Sequence, residues 1–217
     1  MKALDIRPLM APNSVALVGA SCTKNSFGRA MLDMALSGNF KGHIYPVNPK
    51  YKDGLGCRFY NTLSALPEIV DHVVLAVANE RLENALLNAI EHKVKAVTIF
   101  ADCYGQTHDG LPLKDRLKSI AEEADVLLCG PNSMGFHNLD HGLRITPFPS
   151  PKGLVAGSIT AILQSGSVMG ALAHNDKRLR FNLLVSTGSE YCVTAADYMN
   201  WSLSQSTTSV IGLFLES

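Results

Sequence analysis

The sequence predicts an α/β fold built on a parallel sheet, and three observations support this class. Short apolar, β-branched runs alternate with segments of helical spacing, as where Ser14–Val18 is followed by Phe27–Leu36. The connections between them are short, which favours right-handed crossovers between parallel strands. Small and polar residues cluster directly after the predicted strands, at the edge where an open parallel sheet binds its ligand.

The elements follow from this alternation in chain order. Strands are predicted at 14–18, 43–47, 72–78, 96–100 and 126–129, helices at 27–36, 81–93 and 112–124, and a short helical turn at 63–67. Residues 140–153 contain three prolines and show no periodicity, which predicts an interdomain linker at 141–153. The alternation then restarts, with strands predicted at 158–163, 181–185 and 210–215 and helices at 168–175 and 195–203. We therefore expect one domain at 1–140 and a second at 154–217.

The second domain is expected to be incomplete. Three strands and two helices make only about half of a doubly wound sheet and would leave apolar faces uncovered. Further chain or a partner chain would complete it. The alternative is a small subdomain that packs against the first domain.

Composition narrows the functional classes. The chain has 217 residues, of which 47% are hydrophobic and 18% charged, as in a well-buried globular protein. Its formal net charge is zero, so we expect neither a nucleic-acid partner nor a membrane partner. Five cysteines without a CxxC pair indicate reduced thiols, no metal site and a cytoplasmic location. No apolar run approaches membrane-spanning length.

The loop after the first predicted strand is a candidate anion site. Gly19 could begin a GxGxxG dinucleotide motif, but Ser21 and Lys24 occupy the two later glycine positions. The longer loop still supplies hydroxyls, a lysine and free N–H groups at a helix N-terminus, which together suit a phosphate. The alternative is that Gly19 only makes a turn.

The loop after the second predicted strand argues against NAD. That cofactor needs an acidic residue here to hold the ribose 2′-OH, whereas the chain has Asn48, Pro49 and Lys50. A lysine is a point charge for phosphate, so a phosphorylated ribose is expected, as in coenzyme A or NADP. The alternative is an exposed proline turn with an incidental lysine.

Four motifs in order carry a family resemblance: Gly19-Ala20-Ser21, Pro46-Val47-Asn48-Pro49-Lys50-Tyr51, Gly130-Pro131-Asn132-Ser133-Met134-Gly135 and Gln164-Ser165-Gly166. Over nearly its whole length, the chain resembles the NDP-forming (ADP-forming) acyl-CoA synthetases. These form the acetate–CoA ligase group, which is related to the succinyl-CoA synthetase α subunit. The resemblance implies a Rossmann-like CoA-binding domain with a parallel sheet, followed by a partial flavodoxin-like ligase domain.

The resemblance also implies the site residues. The expected CoA contacts are Gly19, Ala20, Ser21, Cys22, Thr23, Lys24, Asn25, Phe27, Asn48, Pro49, Lys50, Ala78, Ala101, Asp102, Cys103, Asn132 and Ser133. The expected catalytic residues are Ser165 and Gly166, in a phosphate cradle, and Glu190, which would orient a phosphohistidine. For Ser165 an ordinary helix N-cap is the alternative, and for Glu190 a partner of the helix dipole.

The chemistry of this family proceeds through an acyl phosphate. In the direction of acyl-CoA synthesis, the resemblance implies that a histidine carries a phosphoryl group from ATP, bound with Mg²⁺ in an ATP-grasp domain or β subunit, to the carboxylic acid. CoA then attacks the acyl phosphate, and phosphate leaves. In the reverse direction, phosphate and acyl-CoA give the acyl phosphate, and the histidine carries the phosphoryl group to ADP. That histidine lies beyond these 217 residues in the family, so none of the seven histidines here is assigned its role. The resemblance therefore implies the CoA-binding and phosphate-handling part of an ADP-forming acid–CoA ligase that acts within a homo- or hetero-oligomer.

Other functions stay open at this point. A CoA- or acyl-CoA-sensing regulatory module, as in fused acetyltransferases, is the main alternative, and an NADP oxidoreductase is a distant third. Asp102 and Cys103 stand where the family has small residues, and Ser133-Met134 where cysteine and a variable residue are usual. Cys103 could be a covalent catalyst, but no base partner is visible in the sequence, so we expect a buried or half-buried thiol.

Overall fold

The computed structural model describes residues 4–107, 109–151, 153–175 and 178–216. Its first half contains, in chain order, α1 (Arg7–Met10), β1 (Ser14–Val18), α2 (Phe27–Leu36), β2 (His43–Val47), β3 (Asp53–Gly54), β4 (Cys57–Arg58), β5 (His72–Leu75), α3 (Asn79–Glu91), β6 (Ala96–Ile99), α4 (Leu113–Glu123) and β7 (Leu127–Cys129). A single 3-10 turn, Leu63–Ala65, precedes β5. Five strands form a parallel sheet in the order β2-β1-β5-β6-β7, and β3 and β4 form a separate hairpin. The predicted parallel sheet is confirmed.

The second half forms a sheet of its own. Its elements are β8 (Gly135–Asn138), β9 (Leu143–Ile145), β10 (Ile159–Leu163), α5 (Gly166–Ala173), β11 (Phe181–Ser186), α6 (Ala195–Leu203) and β12 (Val210–Phe214). The strand order is β12-β10-β11-β8-β9. Strands β10, β11 and β12 pair in parallel, as expected, whereas β8 and β9 are antiparallel additions.

Strands β8 and β9 correct the predicted organisation. The segment expected to be a linker at 141–153 contains β9, and β8, which was expected to belong to the first domain, pairs with β11 of the second sheet. These strands lack an apolar pattern because they bury polar side chains, among them His137, Asn138 and Arg144. Each of these side chains is hydrogen-bonded, so its burial is compensated.

The two sheets share one apolar core. Leu17 and Met31 of the first half belong to the same buried cluster as Phe136, Ile162 and Tyr198 of the second. Helices α3 and α4 cover the other face of the first sheet, where Leu86 and Leu117 are fully buried in a second cluster. The sheets are therefore held together by direct packing.

The remaining differences are at element ends. The strand expected at 72–78 ends at Leu75, and the helix expected at 81–93 begins two residues earlier and ends at Glu91. The short elements α1, β3 and β4 were not predicted, because two to four residues carry too little periodicity. In the described part of the chain, no helix has the length and apolar character needed to cross a bilayer.

Candidate functional site

The loop after β1 is shaped by two glycines that allow close backbone approach. Gly19 has a φ of +93°, donates its N–H to Val47 O at 3.0 Å, and leaves no room for a side chain, since a Cβ would lie 2.2 Å from Ala76 O. A Cβ on Gly28, in the first turn of α2, would lie 2.0 Å from Gly19 O. The loop therefore packs tightly against the N-terminal turn of α2, which is the arrangement that exposes N–H groups to an anion.

Hydroxyl groups hold this loop in place. Tyr51 Oη lies 3.0 Å from Ser21 Oγ and 2.9 Å from Thr23 Oγ1, and Thr23 N donates to Ser21 Oγ at 3.0 Å. The hydrogen bonds from Ser21 and then Thr23 lower the pKa of Tyr51. Ser26 caps α2, since its Oγ accepts from Arg29 N at 3.2 Å. Tyr51 was not predicted as a site residue, although it closes the motif at 46–51 that carries the family resemblance.

Two exposed lysines lie at this edge. Lys24 and Lys50 are exposed and take part in none of the ion pairs found among the described residues. Asn48 fixes the second loop: its Nδ2 donates to Ala20 O at 2.8 Å and its Oδ1 accepts from Lys50 N at 3.0 Å. The first two loops are thus joined, with two cations beside the glycine turn.

The loop after β6 is fixed by Asn79, at the start of α3. Asn79 Nδ2 donates to Asp102 Oδ1 at 3.0 Å and to Tyr104 O at 2.9 Å, and Tyr104 N donates to the same carboxylate oxygen at 3.0 Å. The bonds from Asn79 and then from Tyr104 N lower the pKa of Asp102. Asp102 is therefore a structural acceptor in this loop, a role that was not predicted.

Cys103 is a buried thiol. It is 2% exposed, its Sγ lies 3.7 Å from Ala101 O, and burial raises its pKa to about 12. A thiol with this pKa is protonated at neutral pH and is a poor nucleophile. The interpretation as a buried thiol agrees with this geometry, and covalent catalysis does not.

The loop after β7 connects the two sheets. Ser133 Oγ donates to Ser186 O at 2.6 Å and accepts from Gly135 N at 2.9 Å. Asn132 N donates to Ala101 O at 2.8 Å, which joins this loop to the loop after β6. A Cβ on Gly188 would lie 2.3 Å from Pro131 O, so the loop after β11 also packs closely here.

Glu190 organises the carboxyl edge of the second sheet. Its Oε1 accepts from Gln164 Nε2 at 3.0 Å and from Thr187 Oγ1 at 2.7 Å, and its Oε2 accepts from Ala195 N at 3.1 Å, at the start of α6. Ser165 caps α5, with Val168 N donating to its Oγ at 3.4 Å. Ser165 is therefore an N-cap, and Glu190 accepts from the first N–H of α6, whose own N-cap is Thr194.

Gly166 brings the two candidate regions together. A Cβ at this position would lie 2.0 Å from Met134 Sδ, so the side chain of Met134 rests directly on the first turn of α5. Met134 itself belongs to the loop between β7 and β8. The predicted cradle at 165–166 therefore lies against the loop that carries Asn132 and Ser133.

Most predicted site residues line these carboxyl-edge loops. Phe27 lies in the first turn of α2 and makes an edge-on contact with Phe100, at 5.7 Å between ring centroids. Ala20 is fully buried, Pro49 is exposed, Asn25 has a φ of 60°, and Ala78 is the residue before α3.

A cleft of about 710 Å³ lies elsewhere, at the amino ends of β1 and β2, and contains none of the predicted residues. Its lining includes Asn13, Lys41 and His43. Among the described residues, no three histidine, cysteine or acidic side chains are grouped as metal ligands.

Comparison with known families assigns both halves. Residues 13–138 match the CoA binding domain, and residues 156–217 match the succinyl-CoA ligase-like flavodoxin domain. A trans-feruloyl-CoA synthase from an unknown prokaryotic organism is 31% identical over 98% of this chain and 31% of its own length. An ADP-forming acetate–CoA ligase from Methanocaldococcus jannaschii is 29% identical over 98% of this chain and 30% of its own length. Two relatives from Pyrococcus furiosus are named as α subunits of such ligases.

A solved structure has the same architecture. The dinucleotide-forming acetyl-coenzyme A synthetase 1 of Ca. Korarchaeum cryptofilum, in complex with phosphate and ADP, superposes with a TM-score of 0.89 at 27% identity. The match covers 98% of this chain and 46% of that chain. The chain spans about a third of the length of the two full-length relatives above. The sequence and structural matches together show that the chain belongs to the CoA-binding domain family, with the succinyl-CoA ligase-like flavodoxin domain that accompanies it in the ADP-forming acyl-CoA synthetases.

Proposed function

We propose that this chain is the CoA-binding and phosphate-handling part of an ADP-forming acid–CoA ligase. The observation that carries the proposal is a continuous edge with three parts: two exposed lysines that form no ion pair with the residues the structure describes, a glycine turn without space for side chains, and the loop that Ser133 ties to the second sheet. The relatives named above as CoA ligases support it. The sensing alternative gains no support from these relatives.

The CoA phosphates are proposed to lie over the loop at 19–28. Gly19 and Gly28 keep the backbone close together there, and Ser21 and Thr23 are oriented by Tyr51. Lys24 supplies charge for the phosphates, and Lys50 for the nucleotide end of CoA. The absence of an acid after β2 suits a phosphorylated ribose.

The thiol end of CoA is proposed to lie near the loops after β6 and β7. Asn132 and Ala101 are joined by a backbone hydrogen bond of 2.8 Å. The first turn of α5 begins next to Met134 in this same region, so an acyl phosphate bound at Ser165 and Gly166 would be close to the thiol. Helix N-termini stabilise negative charge on a phosphoryl group.

Glu190 is proposed as a positioning residue. Three N–H or O–H donors already occupy its carboxylate, which fixes its orientation. Carboxylate oxygens have about four lone-pair sites in all, so one remains to accept the N–H of a histidine that enters the site. The phosphohistidine and the nucleotide-binding ATP-grasp domain, or a β subunit, are proposed to come from outside these 217 residues.

Calorimetric titration with CoA tests the proposal. We expect CoA to bind and NADP not to bind. Removing the 3′-phosphate, by using dephospho-CoA, should weaken binding to the unchanged protein by about 1–3 kcal/mol, the range of one charge-assisted contact. Lys50→Ala should weaken the binding of CoA by a similar amount. Dephospho-CoA should bind the Lys50→Ala variant with a total loss far smaller than the sum of the two. Lys41→Ala, at the opposite edge of the sheet, is the matched control. A folded protein that does not bind CoA, or that loses equal affinity with Lys41→Ala, would contradict the proposal.

A further inference from the structure

Cys22 and Cys57 come from separate segments that meet at one side of the first sheet. Cys22 lies in the loop after β1, and Cys57 is the first residue of β4 in the small hairpin. Both thiols are free and partly accessible, whereas Cys103 and Cys129 are buried. Cys22 and Cys57 can therefore be reached by a reagent in solution more easily than the two buried thiols.

The hairpin geometry directs Cys57 toward Cys22. Gly54 and Cys57 are directly paired across a two-residue turn, so their side-chain positions share one face of the hairpin, with Cβ positions about 5 Å apart. That face contacts Cys22: a Cβ on Gly54 would lie 2.3 Å from Cys22 Sγ and 3.8 Å from Cys22 Cβ. The glycine thus makes room for the Cys22 thiol beside Cys57.

Cys22 also acts electrostatically on Cys57. Burial raises the pKa of Cys57, and the charge of Cys22 raises it further. The sulfur of Cys57 makes only a weak contact with Leu55 O, at 3.8 Å. Among the described residues, neither sulfur belongs to a group of three side chains that could hold a metal ion.

We propose that Cys22 and Cys57 form a redox-sensitive pair that a small-molecule disulfide, such as oxidised glutathione, converts into an intramolecular disulfide. The Cys22 thiolate attacks one sulfur of glutathione disulfide, and a mixed disulfide forms as one glutathione thiolate leaves. The Cys57 thiolate then attacks Cys22 Sγ and displaces the second glutathione. Two protein thiols are oxidised to one disulfide, and one glutathione disulfide is reduced. The two protons lost by the protein thiols pass to the two released glutathiones.

The consequence for ligand binding rests on the proposed function. A disulfide requires Cβ atoms about 3.5–4.5 Å apart, so the bond would fix the loop that carries Ser21 and Thr23 to the hairpin. We expect the oxidised protein to bind CoA at least fivefold more weakly than the reduced protein. Dithiothreitol should restore the affinity.

The test is oxidation of the whole chain with glutathione disulfide, followed by alkylation, intact mass and peptide mapping. We expect loss of two free thiols without retained glutathione, and one crosslinked peptide pair that contains residues 22 and 57. Cys57→Ser should bind CoA normally when reduced, should form no crosslink, and should hold CoA affinity through oxidation. Cys192→Ser, which alters another partly accessible cysteine, should still form the crosslink.

Several results would overturn the inference. Glutathione retained on both cysteines, a crosslink to a different cysteine, or a crosslink that persists in Cys57→Ser would show that the two thiols do not pair. A 22–57 crosslink with unchanged CoA affinity would remove the regulatory part. If the reduced protein does not bind CoA at all while the crosslink forms, the proposed function fails and the thiol pair stands, so the two failures are distinguishable.

Discussion

Gln164 Nε2 donates a hydrogen bond of 3.0 Å to Glu190 Oε1, which links the end of β10 to the loop after β11. Gln164 also accepts from Glu216 N through its own Oε1, at 2.6 Å, next to β12. One glutamine therefore connects three neighbouring strand ends. The carboxylate of Glu190 accepts from Gln164 Nε2 and so fixes the orientation of the Gln164 amide.

Glu190→Gln should destabilise the protein by about 1–3 kcal/mol, because a glutamine cannot accept from Gln164, Thr187 and Ala195 at once and a partly buried donor is left unpaired. Urea unfolding measures the change. Glu91→Gln, at an exposed position on α3, is the control and should change stability by less than about 0.5 kcal/mol. Equal losses in the two variants would mean that the three contacts to Glu190 contribute no specific stability.

Gly28→Ala should destabilise the protein by about 1–3 kcal/mol, the usual range for forcing extra atoms into a packed site. The new Cβ would meet the backbone oxygen of Gly19, which cannot rotate away. Gly170→Ala is the matched control on α5, since a Cβ there meets nothing within 4 Å, and it should stabilise the helix by about 0.5–1 kcal/mol. Thermal or urea unfolding that gives the same sign for both variants would contradict the packing of this loop.

Stability should fall as the pH drops below about 6.5. Burial lowers the pKa of His72 to about 3, and burial and then the charge of Arg144 lower that of His137 to about 3. The unfolded chain takes up these protons near pH 6.5 while the folded chain does not, so each histidine reduces stability by about 1.4 kcal/mol per pH unit until the folded pKa is reached.

Urea unfolding at pH 7 and at pH 5 measures this dependence. His72→Asn should have a shallower dependence than the unchanged protein, whatever its absolute stability. His92→Asn, at the half-buried C-cap of α3, is the control for replacing a histidine outside the core. An identical slope for His72→Asn would show that His72 is not held neutral by burial.

Arg144→Lys should cost about 1.5–3 kcal/mol, the range for one lost hydrogen bond to a charged group. Arg144 is 3% exposed, and its guanidinium donates to His137 Nδ1 at 3.3 Å, Ser37 Oγ at 2.9 Å and Pro151 O at 3.1 Å. A lysine ammonium is a point donor and cannot span these acceptors. Arg178→Lys, at an exposed position, is the control, and a loss of similar size there in chemical unfolding would count against the network.

The first sheet could be predicted from sequence because its strands are almost entirely apolar and its helices have clear periodicity. Val73, Val74 and Leu75 are fully buried, which gives a continuous apolar run of the kind that marks a parallel strand. Strands β8 and β9 could not be found this way. Their buried polar residues, such as Asn138, are compensated by partners distant in the chain, and Met10 O is 128 positions away.

Part of the candidate site could likewise be predicted from the sequence, and part of it could not. Glycine and lysine positions such as Gly19 and Lys50 were visible in the sequence because their chemistry depends on residue type and on the position after a strand. Tyr51 and Asn79 were missed because their roles depend on contacts across loops, to Thr23 and Asp102, that no spacing encodes. The assignment of CoA came from the family resemblance.

The antiparallel pair β8–β9 has a consequence for how the molecule can be divided. A polypeptide cut near residue 140 would keep β8 without its neighbour β11 and would remove β9, leaving unpaired backbone and an exposed part of the shared core. The two halves should therefore melt in a single cooperative transition. Chimeras of this protein with a homologue should therefore tolerate a junction just before Gly130 better than a junction within residues 140–153. Only the earlier junction transfers all five strands of the second sheet together.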